Sequence, residues 1–317
     1  MAPRSRFLGP LLLAVLALLA ATPLHARSAE RFPQGMVSAA DPRAAEAGTA
    51  MLRQGGSATD AALATLLALT VVEPQSSGIG GGGLLLVDDG KGHVTSFDGR
   101  ETAPAAASPD WFRAAGVTLG MGDVVPGGLS VGVPGNVAMM ALAHRRGGKL
   151  AWRALFRPAI RLAREGFAIT PRLAGSLASS ARTGAFSPAA RALYYGADGK
   201  PLPAGTTVRN PQLADVLESV ARRGPQALYR GPNAAANVAS VGGAERRPAA
   251  MTMRDLAAYR AKERAPVCGR YRAYRLCGMG PPSSGATTVL AILGLLERFD
   301  MKALGPGNPA SWHLMAE

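Results

Sequence analysis

The sequence predicts a mixed fold of helices and strands, of the α/β (α+β) layered type. Strand-like segments occur towards both ends of the chain, and the apolar pattern between residues 134 and 222 is mostly helical. Hydrophobic residues make up 48% of the 317 residues, which is enough for one sizeable core although only 5% are aromatic. The length fits one large domain or two small ones.

The N-terminal residues 1–26 have the pattern of a secretory signal. Arg4 and Arg6 precede the apolar run 11–21, and a cleavage site follows Ala26. The alternative is an uncleaved anchor, but the run is short for a membrane span of ~20 residues. We therefore expect cleavage, a secreted or periplasmic location, no stable membrane span, and a mature portion of 27–317.

Two helices are predicted after a short strand at 36–40. Asp41 followed by proline is an N-cap and first helical residue, and this helix should end at the glycines 55–56. Residues 57–60 have the form of a capping box, and the helix that they open is apolar on almost every side as far as Pro74. Such a helix needs covering layers on all sides.

A glycine-rich hairpin comes next, between residues 76 and 104. The apolar segments LLLV and HVTSF are joined by a turn at 88–90. Gly80–Gly83 precede the first strand and are interpreted as packing residues, because no helix follows closely enough to form a phosphate cradle. The second strand places Arg100 at its far end, where a guanidinium can bind a carboxylate with two parallel hydrogen bonds.

Most of the remaining chain is predicted to be helical. Ser108–Asp110 should start a short helix, Asn210 should cap a helix with one apolar face, and Thr252 with Asp255 should cap another. Ser283 or Ser284 should start a helix that runs from about 285 to 298.

The two cysteines, Cys268 and Cys277, are too few for a metal site. A hairpin with 271–274 at its tip would place them opposite each other, within reach of a disulfide. Two buried, reduced thiols are the alternative, and the sequence does not choose between them.

The net charge of +14 is compatible with binding to nucleic acid or to an anionic surface. The arginines are dispersed, however, and no nucleic-acid-binding motif occurs, so we expect no nucleic-acid partner.

The sequence contains no recognisable nucleophile with its base. None of its histidines (His25, His93, His144 and His313) has a serine or cysteine partner at a typical spacing, and no G-x-S-x-G motif occurs. We therefore expect no catalytic residue in this chain.

Five ordered segments resemble the large subunit of the γ-glutamyltranspeptidase family, and the similarity extends from about Met36 to Glu317. They are the SSGIGGGGLLLVDD…GRETAP run at 76–104, GVPGNVAMMALAHRRGG at 132–148, residues 159–170, TMRDLAAYRAKERAPVCGRYRAY at 252–274, and GPPSSGATTVLAILGLLERFDM at 280–301.

This resemblance implies an incomplete αββα sandwich of the N-terminal-nucleophile hydrolase type. In the family, the arginine that matches Arg100 binds the α-carboxylate of the γ-glutamyl group of substrates such as glutathione. The nucleophile is a threonine that begins the small subunit after the precursor cuts itself, and no cofactor or metal is implied.

Because this sequence ends before such a threonine, we expect a truncated large subunit that is inactive by itself. We also expect it to be poorly stable, because the layers that should cover the apolar helix at 57–72 and the glycine-rich strands would be absent. The alternatives are a related acylase or amidase and a non-catalytic glutamyl-binding remnant.

Overall fold

A computed structural model of the chain describes residues 35–317, so the predicted signal at 1–26 lies outside the described residues. The helices are α1 Pro42–Arg53, α2 Ala58–Val72, α3 Met121–Val124, α4 Asn136–Gly147, α5 Trp152–Glu165, α6 Pro171–Ser179, α7 Ala181–Gly184, α8 Pro188–Tyr194, α9 Pro211–Arg223, α10 Gln226–Tyr229, α11 Gly231–Gly242, α12 Met253–Ala258, α13 Gly285–Leu296, α14 Met301–Leu304 and α15 Pro309–Ala316. The strands are β1 Gly83–Asp88, β2 Val94–Gly99, β3 Arg113–Ala114, β4 Val117–Thr118, β5 Phe167–Ala168, β6 Thr207–Val208, β7 Lys262–Arg264, β8 Val267–Tyr271 and β9 Tyr274–Gly278. The prediction of a mixed fold is confirmed.

The first two helices begin where the sequence predicts. Asp41 caps α1 by accepting a hydrogen bond from the Arg43 backbone N–H at 2.9 Å. Ser57 and Asp60 form the predicted capping box of α2. Helix α2 packs against α1, α4 and α5 and is buried along most of its length, so the expectation that it would lack covering layers is wrong. The chain itself supplies those layers.

A three-stranded antiparallel sheet has the order β1–β2–β7. The predicted hairpin of β1 and β2 is confirmed, with Gly83 opposite Gly99 and Asp88 opposite Val94. Its loop is longer than the predicted turn, because the Asp89 carboxylate accepts hydrogen bonds from the backbone N–H groups of Lys91 and His93. Strand β7, which was not predicted, pairs with the other side of β2 and makes β2 the central strand.

Two predicted elements are absent from the described residues. Residues 36–40 form no strand, because no strand runs beside them; instead, Val37 packs against Gly48 of α1. Residues 108–112 make consecutive turns rather than a helix. The Trp111 indole N–H donates to the backbone oxygen of Leu129 at 3.0 Å, which directs the chain into the β3–β4 hairpin.

The helical middle is confirmed, and α5 packs against α2 and α9 to form much of the core. Asn210 caps α9 as predicted, accepting from the Leu213 N–H at 3.0 Å. The Trp152 indole of α5 donates to the backbone oxygen of Val220 in α9, which fixes the two helices to each other.

The C-terminal elements also agree with the sequence. Thr252 and Asp255 form the predicted capping box of α12. The β8–β9 hairpin has the predicted register, with Cys268 opposite Cys277 and Tyr271 opposite Tyr274. At the start of α13 the Ser283 hydroxyl accepts a hydrogen bond from the Gly285 N–H. Within residues 35–317, no helix combines the length and the apolar character needed to cross a membrane.

Candidate active site

Arg100 lies directly after β2, at the strand end where the sequence predicts it. Its side chain is 63% exposed. It lines a cavity of about 490 Å³, here called the Arg100 cavity, together with Thr102, Pro104, Trp111 and Val131 among others. A cation on an open cavity with an apolar wall is suited to hold one end of a small anionic ligand.

The backbone of Arg100 is held from both sides. Its N–H donates to the Asp98 carboxylate at 2.8 Å, and its carbonyl oxygen accepts from the Tyr259 hydroxyl at 2.7 Å. The second oxygen of Asp98 accepts from the Arg264 guanidinium of β7 at 2.6 Å. Strand β7 and the segment before it therefore fix the point from which the Arg100 side chain projects.

Tyr259 is suited to this role because its hydroxyl stays protonated. Burial, followed by the negative charges of Asp98 and Glu101, raises the pKa of Tyr259 to about 12. Its ring stacks on that of Tyr229, with the centroids 5.9 Å apart. The hydroxyl is therefore protonated at neutral pH and can donate the hydrogen bond to the Arg100 oxygen.

Glu101 is the charged neighbour of Arg100. Its Oε2 lies 3.1 Å from Arg100 Nη1, and its side chain is 29% exposed. This buried oxygen makes no hydrogen bond within the described part of the chain, so the contact is an ion pair without hydrogen-bond geometry. Since only one guanidinium nitrogen takes part, the remaining N–H groups of Arg100 can bind a ligand.

The glycine run positions β1 against its neighbours. A Cβ atom at Gly82 would lie 2.7 Å from the Gly99 oxygen, and one at Gly83 would lie 2.8 Å from Asn136 Oδ1. These two glycines are packing residues, as interpreted from the sequence. Gly80 has open space around it and Gly81 has only an ordinary contact, so the packing interpretation does not extend to them.

The start of α4 is joined to the same run. The backbone N–H groups of Gly135 and Asn136 both donate to the Gly81 oxygen at 3.0 Å, and the Asn136 side chain donates to the Gly78 oxygen. The glycine run and the N-terminus of α4 are thus one rigid unit beside the Arg100 cavity.

Within residues 35–317 no histidine is hydrogen-bonded to a hydroxyl or thiol. His93 contacts Asp89, and His144 contacts the backbone oxygen of Leu150. The sulfur atoms of Cys268 and Cys277 are 2.11 Å apart as a disulfide, so neither is a thiol nucleophile. No cluster of three metal-ligating side chains occurs in this part of the chain.

The sequence predicts the position of Arg100 but not the residues that support it. The Asp-Gly-Arg spacing at 98–100 is a signal for an Asx turn, and it could have indicated that Asp98 binds the Arg100 N–H. Nothing in the sequence signals that Tyr259 lies beside Arg100, since the two residues are 159 positions apart.

Comparison with known proteins gives consistent matches over almost the whole chain. A family model described as Gamma-glutamyltranspeptidase matches residues 44–317. The glutathione hydrolase proenzyme of Escherichia coli is 36% identical over 287 residues, which is 90% of this chain and 49% of that protein. The Acylase ACY 1 proenzyme of Pseudomonas sp. (strain V22) is 36% identical over 293 residues, covering 90% of this chain and 51% of that protein.

The similarity extends to the three-dimensional structure. The crystal structure of Helicobacter pylori gamma-glutamyltranspeptidase superimposes with a TM-score of 0.84 at 32% identity, over 89% of this chain and 80% of that one. The chain spans about half the length of the curated relatives named above.

Proposed function

Because the chain belongs to the γ-glutamyltranspeptidase family, we propose that it forms the γ-glutamyl-binding part of a γ-glutamyltransferase or glutathione hydrolase. The observation that carries this proposal is the position of Arg100, an exposed cation on a fixed backbone that lines a cavity of about 490 Å³. A γ-glutamyl compound such as glutathione presents a free α-carboxylate, which a guanidinium binds with two parallel hydrogen bonds.

Arg100 would act by binding and orientation. The Asp98 and Tyr259 contacts hold its backbone in place, so binding of a carboxylate costs the conformational freedom of the side chain alone. Glu101 offsets part of the charge, which favours a ligand that can form directed hydrogen bonds over a simple anion. With its carboxylate bound, the substrate would be anchored at one end, which limits the positions that its γ-amide carbon can take.

We place the nucleophile in a small subunit that is not part of this sequence. Its N-terminal threonine would attack the γ-amide carbon, and its own α-amino group would take up the hydroxyl proton. The amine leaves with a proton, and an acyl-enzyme remains. Water or an amino-acid amine then accepts the γ-glutamyl group and regenerates the threonine.

Two apolar surfaces support the proposal of such a subunit. Leu84 and Leu86 of β1 are exposed, and among the described strands β1 pairs with β2 alone. On α13, Val289 and Leu295 are exposed, Leu295 by 62%. An open strand edge and an apolar helix face are surfaces that proteins usually cover.

We also propose that the protein is exported to a periplasmic or extracellular location. The support is the signal pattern of residues 1–26, together with the pairing of Cys268 and Cys277, since disulfides persist in oxidising compartments.

The second candidate function is that of an acylase acting on another side chain, and one observation favours it: an acylase is as similar to this chain as the glutathione hydrolases are. Arg100 argues for a substrate with a free carboxylate. A complete enzyme that hydrolyses a cephalosporin side-chain amide faster than a γ-glutamyl anilide would favour the acylase.

The test is an assay of the complete precursor that contains this chain, with glutathione and with a chromogenic γ-glutamyl anilide. We expect release of the amine from both substrates. An Arg100→Ala variant that still matures into two subunits should lose most of that activity. Full activity in the Arg100→Ala variant, or no activity with any γ-glutamyl amide, would overturn the proposal.

A further inference from the structure

One face of the β8–β9 hairpin combines a disulfide with two arginines, none of which takes part in the function proposed above. Side chains along a strand point alternately to opposite faces. Gly269 packs against α13, so its face of the hairpin is covered by that helix. Cys268 and Arg270 are on the opposite face and are exposed. The register places Cys277 and Arg275 across from them. These four residues form one surface, here called the Cys268 face.

The Cys268 face is positively charged. Residues 267–278 contain three arginines and no acidic residue. Arg272, at the tip, donates to backbone oxygens near the C-terminal end of α13. Arg270 and Arg275 remain beside the disulfide, and neither forms a salt bridge within residues 35–317. This face therefore attracts an anionic ligand.

Arg275 is held over the exposed sulfur. Its Nη1 donates to the Gly92 oxygen of the β1–β2 loop at 2.8 Å, and its Nη2 lies 3.5 Å from Cys268 Sγ. A cation this close attracts an incoming thiolate, and it also stabilises a thiolate formed on Cys268. Exposed disulfides are the ones that exchange most readily with thiols.

The bond between the cysteines can open without loss of the hairpin. Five residue pairs, from Val267 with Gly278 to Tyr271 with Tyr274, hold the two strands together. The disulfide closes a loop of roughly ten residues, and a cross-link that closes a short loop contributes the least to stability. After reduction the two cysteines would still face each other, so the bond can form again.

We propose that the Cys268 face is a site of thiol–disulfide exchange with a low-molecular-weight thiol that carries carboxylates, such as glutathione. The thiolate attacks Sγ of Cys268, because this sulfur is exposed whereas Cys277 is half-buried. The S–S bond breaks, its electron pair leaves on Sγ of Cys277, and that sulfur takes a proton from water. A mixed disulfide remains on Cys268, with its carboxylates bound by Arg270 and Arg275.

A second thiolate then attacks the sulfur of the bound thiol. The oxidised dimer of the thiol is released, and Cys268 is left as a thiolate beside Arg275. In total two thiols are oxidised and one protein disulfide is reduced. No residue of the Arg100 cavity takes part, so failure of this site would leave the function proposed above untouched.

The purified full chain in its oxidised form tests the proposal. It is mixed with glutathione, quenched with acid, alkylated and analysed by peptide mass spectrometry. We expect a glutathione adduct on Cys268 and an alkylated thiol on Cys277. At equal thiolate concentration and low salt, glutathione should react about tenfold faster than 2-mercaptoethanol, which has no carboxylate. The advantage should shrink as the salt concentration is raised.

Matched variants identify the groups that are responsible. Arg270→Gln and Arg275→Gln should each reduce the advantage of glutathione, and the double variant should abolish it. Arg161→Gln is the control, since Arg161 is an exposed arginine of α5, which packs in the core against α2 and α9.

The single cysteine variants separate the two sulfurs. With oxidised glutathione as the reagent, the thiol of Cys268 in Cys277→Ser should form the mixed disulfide severalfold faster than that of Cys277 in Cys268→Ser. A first adduct on Cys277, equal rates for the two thiols, or an advantage of glutathione that persists in the folded double arginine variant would overturn the proposal. A disulfide that resists both thiols would overturn it as well.

Discussion

The backbone of Arg100 is fixed, whereas its side chain can still move. Its N–H and carbonyl groups are both hydrogen-bonded, whereas its guanidinium is exposed and contacts only Glu101 among the described residues. A carboxylate can then be bound by adjustment of the side chain, without movement of the strand.

At this scale we predict that Arg100→Lys in the complete enzyme raises KM for a γ-glutamyl anilide and lowers kcat/KM about tenfold to hundredfold. A lysine is a point charge and cannot form two parallel hydrogen bonds to a carboxylate. Steady-state kinetics measure this, with Arg191→Lys as the control, because Arg191 is an arginine of α8 that does not line the Arg100 cavity. An unchanged KM in Arg100→Lys would contradict the role of Arg100 in substrate binding.

A second prediction concerns Tyr259, a positioning residue. Tyr259→Phe removes the hydrogen bond to the Arg100 carbonyl but keeps the ring that stacks on Tyr229. We expect KM to rise severalfold with little change in kcat, and the free energy of unfolding to fall by about 1 kcal/mol. Urea denaturation and kinetics on the same preparation check both parts. A loss of stability without any change in KM would show that Tyr259 stabilises the fold but does not position Arg100 for substrate binding.

At the scale of elements, the capping box of α2 also holds another segment. Asp60 Oδ2 accepts hydrogen bonds from the N–H groups of Ser57, Lys149 and Leu150, so one carboxylate joins the start of α2 to the turn between α4 and α5. Burial opposes its ionisation, but these N–H groups outweigh that effect and lower the pKa of Asp60. His144 Nε2 lies 3.7 Å from the other oxygen, Oδ1.

The sign of the pH dependence follows from that shift. A carboxylate with a lowered pKa stabilises the fold fully above its unfolded value of 3.8, and loses that contribution as the pH falls through the folded value. We predict that Asp60→Asn lowers the free energy of unfolding by about 1–3 kcal/mol at pH 7. The difference from the wild type should shrink below about pH 4. Denaturation at several pH values measures this, and the exposed Asp110→Asn should show no such trend.

The β8–β9 hairpin gives a prediction about covalent structure. Peptide mapping of exported protein without reduction should recover the peptides of Cys268 and Cys277 joined. Reduction, or the double change Cys268→Ser with Cys277→Ser, should lower the free energy of unfolding by about 2 kcal/mol, since the bond closes a loop of roughly ten residues. Two free thiols in the exported protein would remove the bond but leave the hairpin register unchanged.

Local signals explain which elements the sequence predicts well. Helix caps at Asp41, Ser57 and Thr252 depend on residues within a few positions, and all three are present. The strand predicted at 36–40 failed because a strand needs a distant neighbour. The helix predicted to start at Ser108–Asp110 is also absent: residues 109–112 form turns, and the Trp111 indole donates to the distant Leu129 oxygen. The same distinction applies to the candidate site. The position of Arg100 is predictable from the hairpin that contains it, whereas Tyr259 is brought beside it from 159 positions away.

For the whole molecule we predict that the chain alone neither transfers nor hydrolyses γ-glutamyl groups and tends to self-associate. The exposed apolar residues lie on β1 and α13, with Trp312 of α15 also 62% exposed. Exposed apolar faces of this kind promote association. A γ-glutamyl anilide assay and light scattering on the purified chain test the two parts.

A matched pair of variants identifies the surface that is responsible. Leu295→Ser on the exposed face of α13 should reduce self-association, whereas Met121→Ser changes an apolar residue of α3 that is even more exposed and should not. Turnover by the purified chain that an Arg100→Ala change abolishes would show that the catalytic machinery is within this sequence.

The hydrogen bond between Tyr259 and Arg100 also sets an order of events during synthesis. The two residues are 159 positions apart, and Arg264 is 166 positions from Asp98. A ribosome adding ~5–20 residues per second needs about 8–30 s to make the intervening chain. During that time β1 and β2 exist without the strand and the hydroxyl that hold their far end. The Arg100 region is therefore completed only after the chain has been made as far as Arg264.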